Sequence, residues 1–245
     1  MNELDFSGKT VLVVGGSSGI GNGIARAFLE RGATVHVWGT RRSASDYADS
    51  PDSSLTDLHY AQLDVSDAAS VERCVLPFAS LDVLVQAQGT VLYDRQEFKA
   101  PAFRKVLDVN LTSLMACADR CFEALKAARG AMIIVSSAAA FHSTRGNPAY
   151  NASKTGAFGL TRTLAEAWAR DGIRVNGIAP GLVDTKLTRV TTADPKRLDA
   201  ALRRIPLGRL GTAADMAGGA LFLASPLSAY MLGQTLLLDG GMLLA

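Results

Sequence analysis

Short runs of Val, Ile and Leu alternate with longer stretches of helical apolar spacing along this chain, and that alternation restricts its fold more than any single motif. Strand-like runs fall at Thr10–Val14, Thr34–Val37, Leu58–Leu63, Leu81–Val85, Ala131–Val135, Arg174–Ile178 and Leu236–Leu238. Helical patterns run from a glycine-rich turn to Glu30 and over Ala69–Phe78, Pro101–Arg129, Tyr150–Asp171 and Ala213–Leu223. Strands that are apolar throughout belong to a sheet covered on both faces, hence to parallel pairing. Strand–helix alternation over the whole length predicts an α/β fold, a doubly wound, mostly parallel seven-stranded sheet with helices on both faces. Right-handed crossovers bring the strand C-termini to one edge, where ligands of such sheets bind. At 245 residues and 48% hydrophobic content the chain can bury one sizeable core, and with no internal repeat it reads as a single domain over residues 1–245. Asp46–Asp57 reads as a loop or frayed helix. Asp184–Pro206, which holds Pro195 and Pro206 beside the binding edge, reads as an irregular substrate lid.

The formal net charge of +2 gives no electrostatic reason to expect nucleic acid or a membrane surface. Cys74, Cys117 and Cys121 form no Cys-x-x-Cys pair, which fits a reducing, cytoplasmic setting and small buried side chains. His36, His59 and His142 are too scattered for metal ligation, so no metal site is expected. The first residues, Met-Asn-Glu-Leu-Asp-Phe, are unlike a secretory leader, and no apolar run approaches the ~18 residues of a membrane span.

The turn after the first strand reads Val14-Gly15-Gly16-Ser17-Ser18-Gly19-Ile20-Gly21. A diphosphate binds backbone N–H groups at a helix start, where side chains would obstruct it and tight turns need glycine torsions. A strand–turn–helix with Gly15, Gly19 and Gly21 therefore predicts a nucleotide site. Its spacing differs from G-x-G-x-x-G, since Ile24 stands three beyond Gly21.

The spacing Gly15-x-x-x-Gly19-x-Gly21 resembles the short-chain dehydrogenase/reductase family, and the likeness extends over nearly the whole chain. Asp64-Val65 resembles the family's adenine-side pair, Asn110 its helix asparagine, and Ser137, Tyr150 and Lys154 its Ser and Tyr-x-x-x-Lys set. Ala179-Pro180-Gly181 with Val183 and Thr185 resembles its nicotinamide-side loop, and Leu238-Asp239-Gly240-Gly241 its ending. Ser17, Ser18, Ile20, Gln88 and Gly89 fall at cofactor-contacting positions of the same pattern. Two departures stand out: Val14 replaces a usual Thr, and Gln86-Ala87-Gln88-Gly89 replaces Asn-Asn-Ala-Gly. The resemblance implies a Rossmann-type oxidoreductase using NAD(P), assembled as a homotetramer, and is similar in a general way to 3-oxoacyl-carrier-protein reductases.

The second strand runs into Val37-Trp38-Gly39-Thr40-Arg41-Arg42. An acidic residue near that point would bind the ribose hydroxyls of NAD; Gly39 stands there instead. Thr40 can donate a hydrogen bond and Arg41 or Arg42 can supply charge, unless both arginines are merely solvated. NADP(H) is the expected cofactor, with NAD(H) as the alternative.

Tyr150 and Lys154, four apart, share one face of a helix start. An ammonium nearby favours the phenolate, moving a weak acid toward useful acid–base chemistry. Taken alone the pair is a common surface coincidence; Ser137, after the Ala131–Val135 strand, adds a hydroxyl at the same edge, with Ser136 as its competitor. Asn110 is either solvent-facing or, as the resemblance implies, holds a water that links Lys154 to solvent. The expected reaction is hydride exchange between the cofactor and a small-molecule ketone or secondary alcohol. Tyr150 is the general acid or base, Ser137 orients the oxygen, and Lys154 holds the nicotinamide ribose. Phe141, Leu182, Leu187 and Val190 predict a mostly apolar substrate wall, with His142 a loop histidine that could touch substrate. The non-enzymatic alternative is a silent dinucleotide sensor or scaffold, for which the Gln86–Gln88 segment is the main support.

Overall fold

A computed structural model describes residues 2–244; Met1 and Ala245, the two ends of the expected domain, lie outside the described residues. The strands are β1 (Thr10–Val14), β2 (Thr34–Gly39), β3 (His59–Gln62), β4 (Val83–Gln86), β5 (Ala131–Val135), β6 (Arg174–Pro180) and β7 (Thr235–Leu238). They form one sheet in the order β3-β2-β1-β4-β5-β6-β7, and every pair is parallel. The winding direction reverses between β1 and β4, and that switch point opens the crevice where doubly wound sheets take their ligands.

Period-two alternation sorts each strand between two cores. Val11 and Val13 face α1 (Gly19–Leu29) and α8 (Ala213–Ala224) with Ile24, Phe28, Ala217 and Leu221. Leu12 and Val14 face the opposite layer with Leu84, Met132 and Ile134, which is closed by α4 (Ser113–Ala128) and α5 (Pro148–Trp168). Cys117 and Cys121 are fully buried in that second layer, where burial pushes both thiols up, as inert small hydrophobes.

Three helical expectations change. Ala69–Phe78 shortens to α2 (Ala68–Arg73), capped by Asp67 and stopped ahead of Pro77, which cannot continue a helix. Pro101–Arg129 divides into α3 (Ala100–Leu107) and α4 around a π turn at Asp108–Thr112. The segment 184–206 is not irregular. It carries α6 (Arg189–Thr192) and α7 (Pro195–Leu202), the latter started by Asp194, whose carboxylate accepts from Lys196 N and Arg197 N, with Pro195 in the first helical position.

Candidate active site

The glycine turn leaves β1 at the switch point. Gly15 has φ +75°, and a Cβ there would lie 2.8 Å from the Gln88 backbone; one on Gly21 would lie 2.2 Å from the Gly15 carbonyl oxygen. The turn is thus packed backbone on backbone. Ser18 stands at the N-cap of α1 in an extended conformation and makes no side-chain cap bond. Gly19 N donates to Asp52 O at 2.8 Å, which leaves the N–H groups of Ile20 and Gly21 and the positive end of the helix dipole for the crevice, the arrangement an anion needs. Asn22, which motif spacing does not single out, braces the turn: its amide donates to Gly16 O and Ser54 O and accepts from Ser54 N. A buried Asn inside an amphipathic helix was the available signal.

A single cavity of about 760 Å³ runs from this turn to the start of α5. Gly15, Ser17, Ser18, Gly19, Ile20, Gly21, Thr40, Asp64, Val65, Gln88, Gly89, Ser137, Tyr150, Lys154, Pro180, Gly181, Val183 and Thr185 all line it, from seven separate segments of chain. Arg41 does not. Its guanidinium donates to the Asp46 carbonyl and to Ser50 Oγ and lies 4.4 Å over the Tyr47 ring, while Arg42 is exposed. At Gly39 a Cβ would meet Ser17 Oγ at 2.6 Å and Tyr47 Oη at 2.8 Å. The place an acidic side chain would take is filled.

Gln86, the last residue of β4, and Gln88, in the turn after it, point inward. Gln86 Nε2 donates to Leu114 O at 2.9 Å, and Gln88 Nε2 donates to Gln86 Oε1 at 3.1 Å and Ser113 Oγ at 3.0 Å. These long amides tie β4 to α4 beneath the cavity, and Gln88 and Gly89 still line its floor. The departure from Asn-Asn-Ala-Gly is a change in internal bracing and lends no support to a silent protein.

At the other end stand Ser137, Tyr150 and Lys154. The paired serines separate by role: Ser136 Oγ donates to Lys154 O at 2.8 Å and ties α5 to β5, whereas Ser137, in the turn after β5, faces Tyr150. Burial pushes the Tyr150 phenol up; the Ser137 hydroxyl pulls it down, and the Glu97 carboxylate pushes it up again. Lys154 is buried, its Nζ donates to Val135 O at 2.9 Å and lies 5.8 Å from the centre of the Tyr150 ring. Burial brings its ammonium down to about 8. Asn110, in the π turn, is buried rather than solvent-facing. It accepts from Thr90 N at 2.7 Å and donates to Thr90 O at 2.9 Å and Ser153 Oγ at 3.1 Å, fastening the loop after β4 to α5.

The Lys154 depression has a testable consequence for the cofactor-free protein. The unfolded chain keeps its proton up to the ordinary lysine value of 10.5, while the folded one releases it near 8. Folding at neutral pH therefore carries a burial cost that disappears as pH rises from about 8 to about 10.5. The unfolding free energy of wild type relative to Lys154→Met is expected to rise by about 2–3 kcal/mol across that window, at about 1.4 kcal/mol per pH unit. Urea titrations at each pH read it; a flat difference means the ammonium is not destabilised.

His36 and His59 stack at 4.8 Å on the outer strands, far from His142 in sequence and fold. Among the described residues no cluster of three or more His, Cys, Asp or Glu side chains could hold a metal, and no helix is long and apolar enough to cross a membrane.

A parallel sheet with a glycine turn at its switch point, one continuous cavity and a Ser–Tyr–Lys group at the far end defines a Rossmann-type dinucleotide-binding protein. A family model described as enoyl-(acyl carrier protein) reductase matches residues 14–243. The chain is 38% identical to a 3-oxoacyl-(acyl-carrier-protein) reductase FabG of Chlamydia pneumoniae, over 98% of this chain and 99% of that one. It is 36% identical to a 2-dehydro-3-deoxy-D-gluconate 5-dehydrogenase of Bacillus subtilis, over 99% and 97%. Among solved structures, a gluconate 5-dehydrogenase from Burkholderia cenocepacia in complex with NADP and tartrate superposes with a TM-score of 0.88 at 28% identity, covering 99% of both chains. The chain belongs to the short-chain dehydrogenase/reductase family.

Proposed function

We propose that this protein is an NADP(H)-dependent oxidoreductase that interconverts a ketone and a secondary alcohol, with Tyr150 moving the proton. The observation that carries this reading is the convergence of Ser137, Tyr150 and Lys154 at one end of a cavity whose other end is an uncapped helix start. The residues fit the cofactor: Gly15–Gly21 with Ser17, Ser18 and Ile20 for the diphosphate, Asp64 and Val65 for the adenine, Gln88 and Gly89 along the floor, Lys154 for the nicotinamide ribose, and Pro180, Gly181, Val183 and Thr185 for the nicotinamide side. When bound, the cofactor supplies or accepts the hydride. The chain does the rest. Ser137 orients the substrate oxygen, Tyr150 Oη gives it the proton in reduction and removes it in oxidation, and Lys154 biases the phenol toward ionisation. Asn110 holds the loop and helix around this group.

NADP(H) is favoured because no carboxylate can occupy position 39 to repel a 2′-phosphate, and because NADP is the cofactor bound by the Burkholderia relative. Thr40, on the cavity wall, offers the hydrogen bond to that phosphate. A charge-assisted contact is worth about 1.5–3 kcal/mol, so kcat/KM is expected to favour NADPH over NADH by at least about tenfold. A panel of ketones and alcohols, followed at the reduced-nicotinamide absorbance with both cofactors, measures this. NADH preference ends the cofactor assignment, and binding without turnover across the panel ends the enzymatic one.

Residues 184–206 form the substrate lid in this reading. Tyr93 Oη donates to Leu187 O at 2.7 Å, clasping the lid to the loop across the cavity mouth. Leu187 lines the cavity and, like Phe141 and Val190 of the expected apolar wall, is exposed, which suits a medium-sized, largely apolar substrate. We extend the reading to a cytoplasmic homotetramer.

A further inference from the structure

The helix that bears Tyr150 and Lys154 does not cap itself. Asn147 occupies the N-cap of α5, yet its side chain makes no cap bond; its amide donates instead to Leu92 O at 3.0 Å and to Glu97 Oε1 at 3.5 Å. A helix start leaves orphan N–H groups that need acceptors. The Tyr150 N–H, in the first turn of α5, finds its acceptor 53 residues upstream, at Glu97 Oε2, 2.9 Å away. The other oxygen of Glu97 accepts from Leu92 N at 2.9 Å. Glu97 is fully buried, and every partner it has is a donor. An amide has one acceptor oxygen and would turn its NH2 against a donor; two carboxylate oxygens answer all three.

Burying a carboxylate carries a large desolvation penalty unless it is fully hydrogen-bonded, so it is an expensive way merely to hold a loop. The approach of Glu97 is also enforced. Asp94 and Arg95, neither of them glycine, take left-handed conformations in succession (φ 56° and 58°), and the chain then tightens into a short helical turn at Gln96–Phe98 that aims Glu97 inward. Such conformations persist only where the surroundings over-determine them, and they cluster at functional sites.

We propose that Glu97 is a positioning residue of the reaction, fastening the first turn of α5 to the loop that holds Leu92 and placing a buried carboxylate against the helix turn that carries Tyr150. The groups facing the Tyr150 phenol are few. Lys154 comes from the same helix and Ser137 from the turn after β5. Tyr93 comes from the 90–95 loop, its hydroxyl engaged by the lid; Lys105 of α3 and Lys186 of the lid stand exposed on the cavity rim. Glu97 is the carboxylate of this set. Its charge opposes ionisation of Tyr150, whereas the Ser137 hydroxyl favours it. Glu97 thereby keeps the phenol a proton donor for ketone reduction while holding it in place.

The inference rests on Tyr150 as the acid–base group, and the experiment separates the two. Wild type, Glu97→Gln, Glu97→Asp and Tyr150→Phe are compared with saturating NADP+ and the best alcohol of the panel. Glu97→Gln is expected to lower kcat roughly tenfold, leave the cofactor KM within about twofold, and move the acidic limb of the kcat/KM profile, where the base Tyr150 becomes protonated, down by roughly 0.5–1 pH unit. Glu97→Asp keeps the charge and loses the reach, so kcat falls while the limb stays. In the cofactor-free protein, the tyrosinate absorbance that Tyr150→Phe removes should titrate earlier in Glu97→Gln alone. A limb and titration that move in neither variant, or equally in both, overturn the proposal. Should Glu97→Gln fail to fold, wild-type kcat in Glu97→Asp does so. An active Tyr150→Phe enzyme overturns the catalytic assignment instead, whatever the tyrosinate titration shows.

Discussion

Tyr150→Phe is expected to lower kcat by about 10²-fold or more while leaving NADPH affinity within about twofold. The substitution removes one oxygen and keeps the ring, so the packing of the first turn of α5 and the backbone bond from Tyr150 N to Glu97 survive. Lys154 keeps its bond to Val135 O, and the glycine turn lies at the far end of the cavity. What is lost is the hydroxyl proposed to carry the proton, while Ser137 still lines the cavity. A positioned general acid or base contributes typically 10²–10⁴-fold, which sets the scale. Fluorescence titration with NADPH reads binding and single-turnover hydride transfer reads chemistry. A variant that turns over near the wild-type rate would remove Tyr150 from the mechanism, and one that loses cofactor affinity in step with kcat would make its role structural.

The parts of this fold that are legible in the sequence are those whose burial is complete. β1, β4 and β5 are apolar on both faces because both faces are covered, so Thr10–Val14 and Ala131–Val135 can be bounded from composition alone. The glycine turn is equally readable, since a Cβ at Gly15 or Gly21 has nowhere to go. The π turn at Asp108–Thr112 is not: the bonds that hold Asn110 to Thr90 reach across 20 residues, beyond anything a local periodicity records. The lid helices were half-visible. Asp194-Pro195 is a helix-start signal, but the surrounding polar residues and short helices carry little periodicity.

Side-chain direction separates the site residues that sequence finds from those it does not. Ser137 and Ser136 are indistinguishable in composition, and only the bond from Ser136 to Lys154 O assigns them. Arg41 reads as a phosphate ligand because it follows β2, yet the helical turn at Ala44–Tyr47 brings a ring and a carbonyl closer to it than the cavity. Glu97 sits in Asp94-Arg95-Gln96-Glu97, which reads as a solvated charged run. Its burial depends on two left-handed residues that carry no glycine to announce them.

Gly21→Ala is expected to weaken NADPH binding by on the order of 10²-fold and to destabilise the fold by about 1–3 kcal/mol, the range for overpacking a filled site. The new methyl would lie 2.2 Å from Gly15 O, 2.9 Å from Gly15 C and 3.2 Å from Ala87 Cβ. The nearest of these are backbone atoms of the turn itself, held by Gly15 N to Trp38 O and by Ala87 N to Val14 O, so they cannot swing aside as a side-chain tip would. Relief requires the start of α1 to back away from β1. That displaces the N–H groups we assign to the diphosphate, and a shift near 1 Å at a positioned contact costs roughly 10². Gly218→Ala is the matched control. Gly218 lies on the exposed face of α8 with nothing within 4 Å of an added Cβ, so helix propensity alone acts, stabilising by about 0.8–1 kcal/mol without touching affinity. NADPH titration and thermal unfolding of both variants separate the two effects. A Gly21→Ala protein that binds NADPH within about threefold of wild type would mean the diphosphate does not depend on this helix start, and the nucleotide end of the cavity would have to be reassigned.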